Sequence, residues 1–230
     1  MPFENIKDIY KRMAHAAMRS GREPQDVRLI AVTKEVGPDL IHQAVHIGLR
    51  EFGESRVQAA KEKIPEVRSL DPRASIVWHL IGHLQTNKAK AAVELFDIIH
   101  SVDSLDLAGS LNRHAETAGK VQRILLQVKL SIEESKYGIT KENISSVLRE
   151  VSVMQHLHLE GLMTIPPFFD DPEKARPYFR ELRDIRDKAV SQGHELKELS
   201  MGMSNDFDVA VEEGATMVRI GTAIFGERRR

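Results

Sequence analysis

The sequence contains no cysteine among its 230 residues. Disulfide bonds, thiolate nucleophiles and cysteine metal ligands are therefore excluded, and a reducing compartment such as the cytoplasm is expected. The sequence also lacks an uninterrupted apolar run of about 18 residues, the length that a membrane-spanning helix requires. The N-terminal stretch MPFENIKDIYKRMAHAAMRSG carries acidic and basic residues throughout, so it does not resemble a signal peptide. These absences predict a soluble cytoplasmic protein.

Positive charge is not in surplus either, because 33 lysines and arginines face 34 acidic residues and leave a formal net charge of -1. Proteins that bind nucleic acid usually carry a basic surplus, so we expect no nucleic-acid partner. Linkers rich in glycine, serine or proline are absent as well. With 41% apolar residues the chain can form one sizeable core. We therefore predict a single domain over residues 1–230.

Apolar, β-branched runs alternate with segments of helical periodicity along the chain. The runs predict eight strands, at 27–33, 50–53, 76–81, 97–102, 122–130, 157–165, 196–201 and 216–221. The other segments predict helices, at about 3–20, 39–48, 55–67, 86–95, 104–118, 140–153, 172–192 and 205–213. Regular βα alternation indicates a parallel sheet whose strands are joined by helical crossovers.

Two α/β architectures fit this pattern, a doubly wound open sheet and a closed (β/α)8 TIM barrel. The strand count and a length near the roughly 250 residues typical of such barrels favour the barrel. No G-x-G-x-x-G fingerprint follows the first strand, which disfavours the dinucleotide-binding form of the open sheet. In a barrel the chemistry lies at the carboxyl ends of the strands, so the residues at those ends are the candidates for a site.

Lys34 follows the first of these strands, in the segment VRLIAVTKEVGP. A lysine whose stem lies in an apolar wall has its pKa lowered by desolvation, and a neutral amine can attack a carbonyl carbon to form a Schiff base. A lysine at a barrel mouth can instead pair with an acidic neighbour or extend to water. Taken alone, Lys34 favours this second interpretation.

The strands at 196–201 and 216–221 lead into SMGMSND and RIGTA. Small residues and hydroxyls at this place suit an anion, because barrels often bind phosphate in the loops after their last two strands. The candidates are Ser204, Gly221 and Thr222. Ser204 can instead be a simple helix N-cap and Gly221 a turn glycine, and the carboxylate of Asp206 would compete with a phosphate. Spacing alone slightly favours these simpler roles.

Lys34 and the predicted anion site would lie on the same face, because barrel closure brings the first strand beside the last. A small aldehyde that carries a phosphate would fit both, and pyridoxal 5′-phosphate (PLP) is such a molecule. Arg219 would then lie near the ring, where its guanidinium stays protonated and donates to the pyridine nitrogen. That nitrogen would remain unprotonated, which makes the ring a poor electron sink and discourages carbanion chemistry.

Histidines offer a different chemistry, because imidazoles at short spacing can bind a metal ion. Three pairs are candidates: His42 with His46, His79 with His83, and His156 with His158. The first pair lacks a metalloprotease glutamate between its members. The last pair would lie at the end of the barrel away from the chemistry, and only His83 of the middle pair would reach the active face. A metal-dependent barrel hydrolase is our third hypothesis. Because none of the three pairs meets the requirements of a metal site at the active face, we expect no metal to be bound.

Several segments of the chain resemble one protein family. They are AVTK, FGESRVQ, WHLIGHLQTNK, SKYGI, EGLMTIPP and LSMGMSNDFDVAVEEGATMVRIGTAIFG. They run from about Leu29 to Gly226 and are similar to the pyridoxal phosphate homeostasis (YggS/PROSC) proteins. Ser55 stands where many members have asparagine, and His83 where some have proline.

The resemblance implies a barrel like the N-terminal domain of alanine racemase, a fold type III PLP protein, with PLP attached to Lys34 as a Schiff base. The family's phosphate and ring contacts fall on Ser204, Arg219, Gly221 and Thr222, with Ser200 and Met201 close by, and we include Ser200 among the predicted cofactor-binding residues. It also implies a non-catalytic role in vitamin B6 homeostasis, in which the protein binds PLP, holds it and supplies it to PLP-dependent apo-enzymes.

A PLP-dependent amino-acid racemase is the alternative. A racemase needs acid–base groups on both faces of the substrate carbon, and related racemases take the second, a tyrosine, from a partner subunit with an additional C-terminal β domain. The sequence ends at Arg230, soon after the last strand, so we expect that domain to be missing and the protein to be a monomer. Of Tyr10, Tyr137 and Tyr178, only Tyr137 is expected near the barrel mouth.

Overall fold

The computed structural model describes residues 3–131 and 137–226. The first two residues of the SKYGI motif and the terminal Arg230 lie outside these ranges. The strands are β1 (Arg28–Val32), β2 (Glu51–Glu54), β3 (Val77–Leu80), β4 (Ile98–Val102), β5 (Gln122–Lys129), β6 (Ile139–Thr140), β7 (Leu157–Met163), β8 (Glu198–Met203) and β9 (Met217–Ile220). The α-helices are α1 (Ile6–Arg19), α2 (Pro38–His46), α3 (Val57–Leu70), α4 (Ala89–Leu95), α5 (Leu105–Thr117), α6 (Ile144–Val151), α7 (Arg176–Ser191), α8 (Phe207–Glu212) and α9 (Thr222–Phe225).

Eight of these strands form a closed parallel barrel. They are hydrogen-bonded in the order β4-β3-β2-β1-β9-β8-β7-β5, and a further pairing between β5 and β4 closes the ring. The predicted (β/α)8 barrel is thereby confirmed. The remaining strand, β6, pairs only its two residues with the carboxyl end of β5. A strand of two residues has no periodicity, which is why the sequence pattern did not predict it.

Two predicted helices are shorter than expected because each begins with a tighter turn. The segment 86–95 consists of a 3₁₀ turn at Thr86–Lys88 followed by α4, and 172–192 consists of a 3₁₀ turn at Pro172–Ala175 followed by α7. The helix expected from about 205 begins at Phe207. Asp206 has a non-helical φ of -128°, and its Oδ1 accepts a hydrogen bond from Met203 N over 2.7 Å.

Two apolar clusters fill the space on either side of the barrel wall. The larger lies between the sheet and the helices and includes Phe52 and Trp78, whose ring centroids are 5.6 Å apart. A smaller cluster of strand residues consists of Ile30, Leu125, Met163 and Met217. Side chains of this second kind fill a barrel interior, so a ligand site is expected at a barrel end rather than along the axis.

Gly202 allows the end of β8 to pack directly on α8. Its φ is +91°, and a Cβ at this position would lie 2.5 Å from the Cβ of Ala210. Any other residue would be strained by the left-handed backbone and would collide with the helix. The glycine thus allows β8 and α8 to pack in direct contact.

Residues 3–131 and 137–226 contain neither a helix suited to span a membrane nor a group of side chains arranged as a metal site. No helix in these ranges has the length and apolar character that crossing a membrane requires. The same part of the chain contains no cluster of three or more histidine, aspartate or glutamate side chains arranged to hold a metal ion.

Candidate functional site

An open cavity of ≈ 620 Å³ lies at the carboxyl ends of β1, β8 and β9. Its volume is within the range of roughly 300–1,000 Å³ that is usual for small-molecule sites. Apolar side chains such as Val32, Leu40, Ile81 and Ile165 form much of the wall. Five of the six residues predicted to bind a cofactor also line it: Lys34, Ser204, Arg219, Gly221 and Thr222.

Lys34 lies in the loop after β1, with one residue between it and the strand, and its side chain is half-buried. Within the part of the chain that the structure describes, no hydrogen bond or ion pair engages its ammonium group. The next residue, Glu35, has a φ of +65°, which is unusual for a residue other than glycine. Such strain often occurs at functional sites, and here it turns the chain where Lys34 faces the cavity.

A buried ion pair supports the loop that carries Lys34. Lys63 on α3 donates to Glu54 Oε1 over 2.5 Å and to the carbonyl oxygen of Thr33 over 2.7 Å. The hydroxyl of Thr33 donates to the same carboxylate over 2.7 Å. These bonds connect the ends of β1 and β2 to α3, so the residue before Lys34 is held on both its side chain and its backbone. The pattern did not predict this support, because Lys63 lies on a helix and its contact depends on tertiary packing.

Arg219 provides a buried positive charge at the cavity. Its side chain projects from β9, the residue is 3% exposed, and it donates from Nη1 to Ser200 Oγ over 2.6 Å and from Nη2 to the carbonyl oxygen of Thr164 over 2.9 Å. Burial lowers the pKa of Arg219 to about 10, although the nearby charge of Asp206 acts in the opposite direction. The guanidinium is therefore still protonated at neutral pH.

Ser200 does not line the cavity, although it is among the predicted cofactor-binding residues. It is fully buried and lies behind Arg219, with its hydroxyl between the guanidinium and His100 Nδ1. Met201 is fully buried as well and belongs to the larger apolar cluster. Ser200 can therefore act on a ligand through Arg219, and its hydroxyl faces the barrel interior.

Ser204, Gly221 and Thr222 lie at the rim, where β8 and β9 end. A Cβ at Gly221 would lie 3.2 Å from the Cβ and 3.3 Å from the carbonyl oxygen of Val32, so the glycine allows β9 to end close against β1. This close approach brings Thr222 to the same side of the mouth as the Lys34 loop. Burial raises the pKa of Asp206, and the Met203 N–H that it accepts and the charge of Arg219 oppose this effect.

Tyr137 and His83, which the sequence analysis singled out, lie beside the main cavity. The ring of Tyr137 stacks on that of His83, with centroids 3.5 Å apart and planes 9° apart. Both line a smaller cavity of ≈ 160 Å³ together with Lys129, and this cavity shares Ile81 with the main one. Ser55 lines a separate cleft on the outer side of the Lys34 loop.

Of the histidine pairs considered for metal binding, His42 and His46 are in contact, whereas His79 and His83 are not. His42 and His46 face each other on α2, with Nε2 atoms 3.1 Å apart. His79 is fully buried and contacts His100 rather than His83. The contact between His79 and His100 was not predicted. The available signal was that each is a histidine within a mainly apolar buried strand, in VWHL and IIHSV.

Comparison with known proteins gives the family. The sequence profile of the alanine racemase N-terminal domain matches residues 5–229. A pyridoxal phosphate homeostasis protein of Aquifex aeolicus is 40% identical over 227 residues, which is 98% of each chain. The structure of PipY from Synechococcus elongatus with PLP bound is 40% identical, has a TM-score of 0.82, and covers 95% of this chain and 100% of its own.

A more distant comparison concerns the fold alone. Alanine racemase from Clostridium difficile is 14% identical with a TM-score of 0.73, over 97% of this chain and 60% of the racemase. The barrel is therefore the one expected from the resemblance. The chain belongs to the family of the alanine racemase N-terminal domain, and its nearly full-length relatives there are pyridoxal phosphate homeostasis proteins.

Proposed function

We propose that this protein binds PLP in the cavity at the ends of β1, β8 and β9 and acts in PLP homeostasis as a non-catalytic carrier. The proposal rests on one cavity of suitable volume that is lined by the buried guanidinium of Arg219 and by Lys34, whose amine no residue of the described ranges engages. The bound PLP in the PipY structure supports the same ligand.

The residues present fit three of the polar groups of PLP: the aldehyde, the phosphate and the ring nitrogen. Lys34 would hold the aldehyde carbon through its amine, and the rim formed by Ser204, Gly221 and Thr222 would receive the phosphate. Arg219 would donate to the ring nitrogen. When bound, PLP supplies an electrophilic aldehyde and a ring that can withdraw electrons, and an arginine beside the ring nitrogen limits that withdrawal because it cannot give up a proton at neutral pH.

The tyrosine positions support a carrier over a racemase. A racemase needs a second acid–base group opposite the lysine. Tyr137 faces the smaller cavity and stacks on His83, and in the described part of the chain no tyrosine lines the main cavity. In the monomer that the proposal assumes, no partner subunit supplies this group, so we propose that Lys34 holds the ligand without a catalytic partner.

Accessibility of the rim suits a protein that releases its ligand. Thr222 and Asn205 are exposed, and Phe168 at the mouth is 74% exposed. We propose that PLP-dependent apo-enzymes in the cytoplasm receive PLP from this opening. A monomer is the oligomeric state that the proposal assumes, and light scattering of the purified protein tests it.

Two assays on one preparation test the proposal. Titration with PLP should give saturable binding at one equivalent per chain. Incubation of the loaded protein with a panel of amino acids in D₂O should give no deuterium exchange at the α-carbon above the level of free PLP. Exchange that exceeds this level and disappears in Lys34→Ala would support the racemase, and absence of saturable binding would contradict both functions.

A further inference from the structure

A chain of buried polar groups crosses the barrel from the cavity towards its other end. Arg219 Nη1 lies 2.6 Å from Ser200 Oγ, which lies 2.9 Å from His100 Nδ1. His100 Nε2 lies 2.9 Å from His79 Nδ1, and His79 Nε2 lies 3.1 Å from Glu51 Oε2. Ser200 is on β8 and His100 on β4, which are not neighbours in the sheet, so their bond crosses the interior.

The carboxylate at the Glu51 end of this chain favours one direction for its hydrogen bonds. A guanidinium can only donate, so Ser200 Oγ accepts from Arg219 and its own hydrogen is available to His100 Nδ1. His100 then carries its proton on Nε2 and donates to His79 Nδ1. His79 in turn carries its proton on Nε2 and turns this N–H towards the Glu51 carboxylate, in a 3.1 Å contact that is less well aligned than the hydrogen bonds before it. The opposite direction would set the lone pair of His79 Nε2 against the Glu51 carboxylate, and two acceptors at this distance repel.

The electrostatic environment favours the same assignment. Burial lowers the pKa of His79 and, more strongly, that of His100, so both rings are neutral at pH 7. Burial would raise the pKa of Glu51, but the neighbouring His79 ring and the charge of Arg28 outweigh it and leave the pKa below its ordinary value. The chain therefore runs from a fixed cation to a fixed anion.

The surroundings of the chain strengthen these bonds. His79, His100 and Ser200 are fully buried, and strand residues such as Ile30 and Met217 form an apolar cluster in the same sheet. In a medium of low polarity, successive hydrogen bonds polarise one another, and an unpaired group is costly. Reversal or loss of one bond would consequently disturb the others.

We propose that Glu51, His79 and His100 are positioning residues for the ligand, which act through Ser200 to hold Arg219 as a directed donor to the PLP ring nitrogen. Two of the five N–H groups of Arg219 are committed to Ser200 and Thr164, and the others remain for the cavity. The site thereby selects a ring that presents an acceptor atom. This inference rests on the proposed binding of PLP and extends it to residues on the far side of the barrel.

Glu51→Gln is the variant that tests the chain, and Glu198→Gln is its matched control. The amide in Glu51→Gln can donate as well as accept, so the chain loses its preferred direction without a change in size. Glu198 belongs to the same end of the barrel and lies 2.8 Å from Arg28 Nη2, but its hydrogen bond goes to Thr216 and not to the histidines.

The first measurement uses PLP-free protein with ¹⁵N-labelled histidine. NMR of the ring nitrogens should show both buried rings neutral with the proton on Nε2 in the wild type and in Glu198→Gln. Glu51→Gln should show a shift of His79 towards the Nδ1–H form. A wild-type spectrum with the proton on Nδ1 of either ring, or with a charged ring, overturns the proposal even if Glu51→Gln does not fold.

The second measurement compares PLP with its carbon analogue, in which a C–H group replaces the ring nitrogen. Glu51→Gln should weaken binding of PLP about three- to tenfold, the effect of one hydrogen bond, and should change binding of the analogue by no more than about twofold. Glu198→Gln should leave both affinities unchanged. Equal losses for the two ligands, or no loss, would overturn this inference alone, whereas a wild type that binds no PLP would overturn the proposed function together with it.

Discussion

The ammonium group of Lys63 lies 2.5 Å from Glu54 Oε1 and also donates to the backbone of Thr33, the residue before Lys34. Glu54 is 1% exposed and Lys63 9% exposed, so both charges are removed from water. A second lysine, Lys63, therefore supports the loop that carries Lys34, the lysine proposed to attach PLP. The two have different surroundings, and their substitutions should have different consequences.

Replacement of Lys63 should destabilise the fold. Lys63→Met would leave the Glu54 carboxylate buried without its cation, and breaking a buried pair in this way costs about 3 kcal/mol in the free energy of unfolding. Urea denaturation measures this change. Lys61→Met, at an exposed position on the same helix, is the control and should change the free energy of unfolding by no more than about 0.5 kcal/mol. Equal effects of the two substitutions would contradict a buried pair.

Replacement of Lys34 should leave the fold intact. Its ammonium has no partner in residues 3–131 and 137–226, so Lys34→Ala should shift the free energy of unfolding by less than about 1 kcal/mol.

Arg219→Ala should weaken PLP binding at least about tenfold, because a hydrogen bond from a charged donor is lost. The loss of PLP affinity in Arg219→Ala should exceed the loss of inorganic phosphate affinity in Lys34→Ala. Calorimetry measures the affinity for PLP and the affinity for phosphate. Arg56→Ala, at a position outside the main cavity, is the control and should leave both affinities unchanged.

Glycine at position 202 should be required for two separable reasons. Gly202→Ala places an alanine at a φ of +91°, which strains its backbone, and brings its Cβ into collision with Ala210. Gly193→Ala places an alanine at a similar φ of +95°, but no atom lies within 4 Å of its Cβ. Left-handed backbone strain alone costs about 1–2 kcal/mol, and overpacking adds about 1–3 kcal/mol. Thermal denaturation should therefore rank Gly202→Ala well below Gly193→Ala in stability. Similar stabilities would show that the loop after β8 can move away from α8.

Stability in acid should depend on Glu213. Burial would raise the pKa of Glu213, but hydrogen bonds from Arg180 and Arg176 and the charge of Arg183 outweigh it, and the net pKa is lowered. A lowered pKa means that the ionised carboxylate stabilises the fold above the unfolded-state pKa and that this contribution disappears as pH falls through the folded-state pKa. Glu213→Gln should reduce the free energy of unfolding by about 1–2 kcal/mol at pH 7.

The difference in the free energy of unfolding between wild type and Glu213→Gln should depend on pH. Because the wild-type carboxylate becomes protonated in acid, the gap between wild type and Glu213→Gln should narrow below the usual glutamate pKa of about 4.3. Urea denaturation at pH 7 and pH 3 gives the two differences. A gap of equal size at both pH values would mean that the three arginines do not stabilise the ionised form.

Much of the barrel could be predicted from periodicity, because each βα unit is a local pattern. The eight barrel strands and the position of Lys34 after the first follow from hydrophobic runs and their ends. The polar chain behind Arg219 could not be predicted in this way, because Ser200 and His100 are 100 residues apart and meet only when the barrel closes. The pair of Lys63 and Glu54 depends likewise on how α3 docks on the sheet.

Covalent trapping of PLP is the most direct test of the central claim that Lys34 and Arg219 hold one ligand in one cavity. The purified protein is saturated with PLP, reduced with borohydride, digested and mapped by mass spectrometry. We predict one reduced PLP adduct per chain, on the peptide that contains Lys34, and its loss in Lys34→Ala. Absence of any adduct at saturation, or an adduct on another lysine such as Lys129, would contradict it.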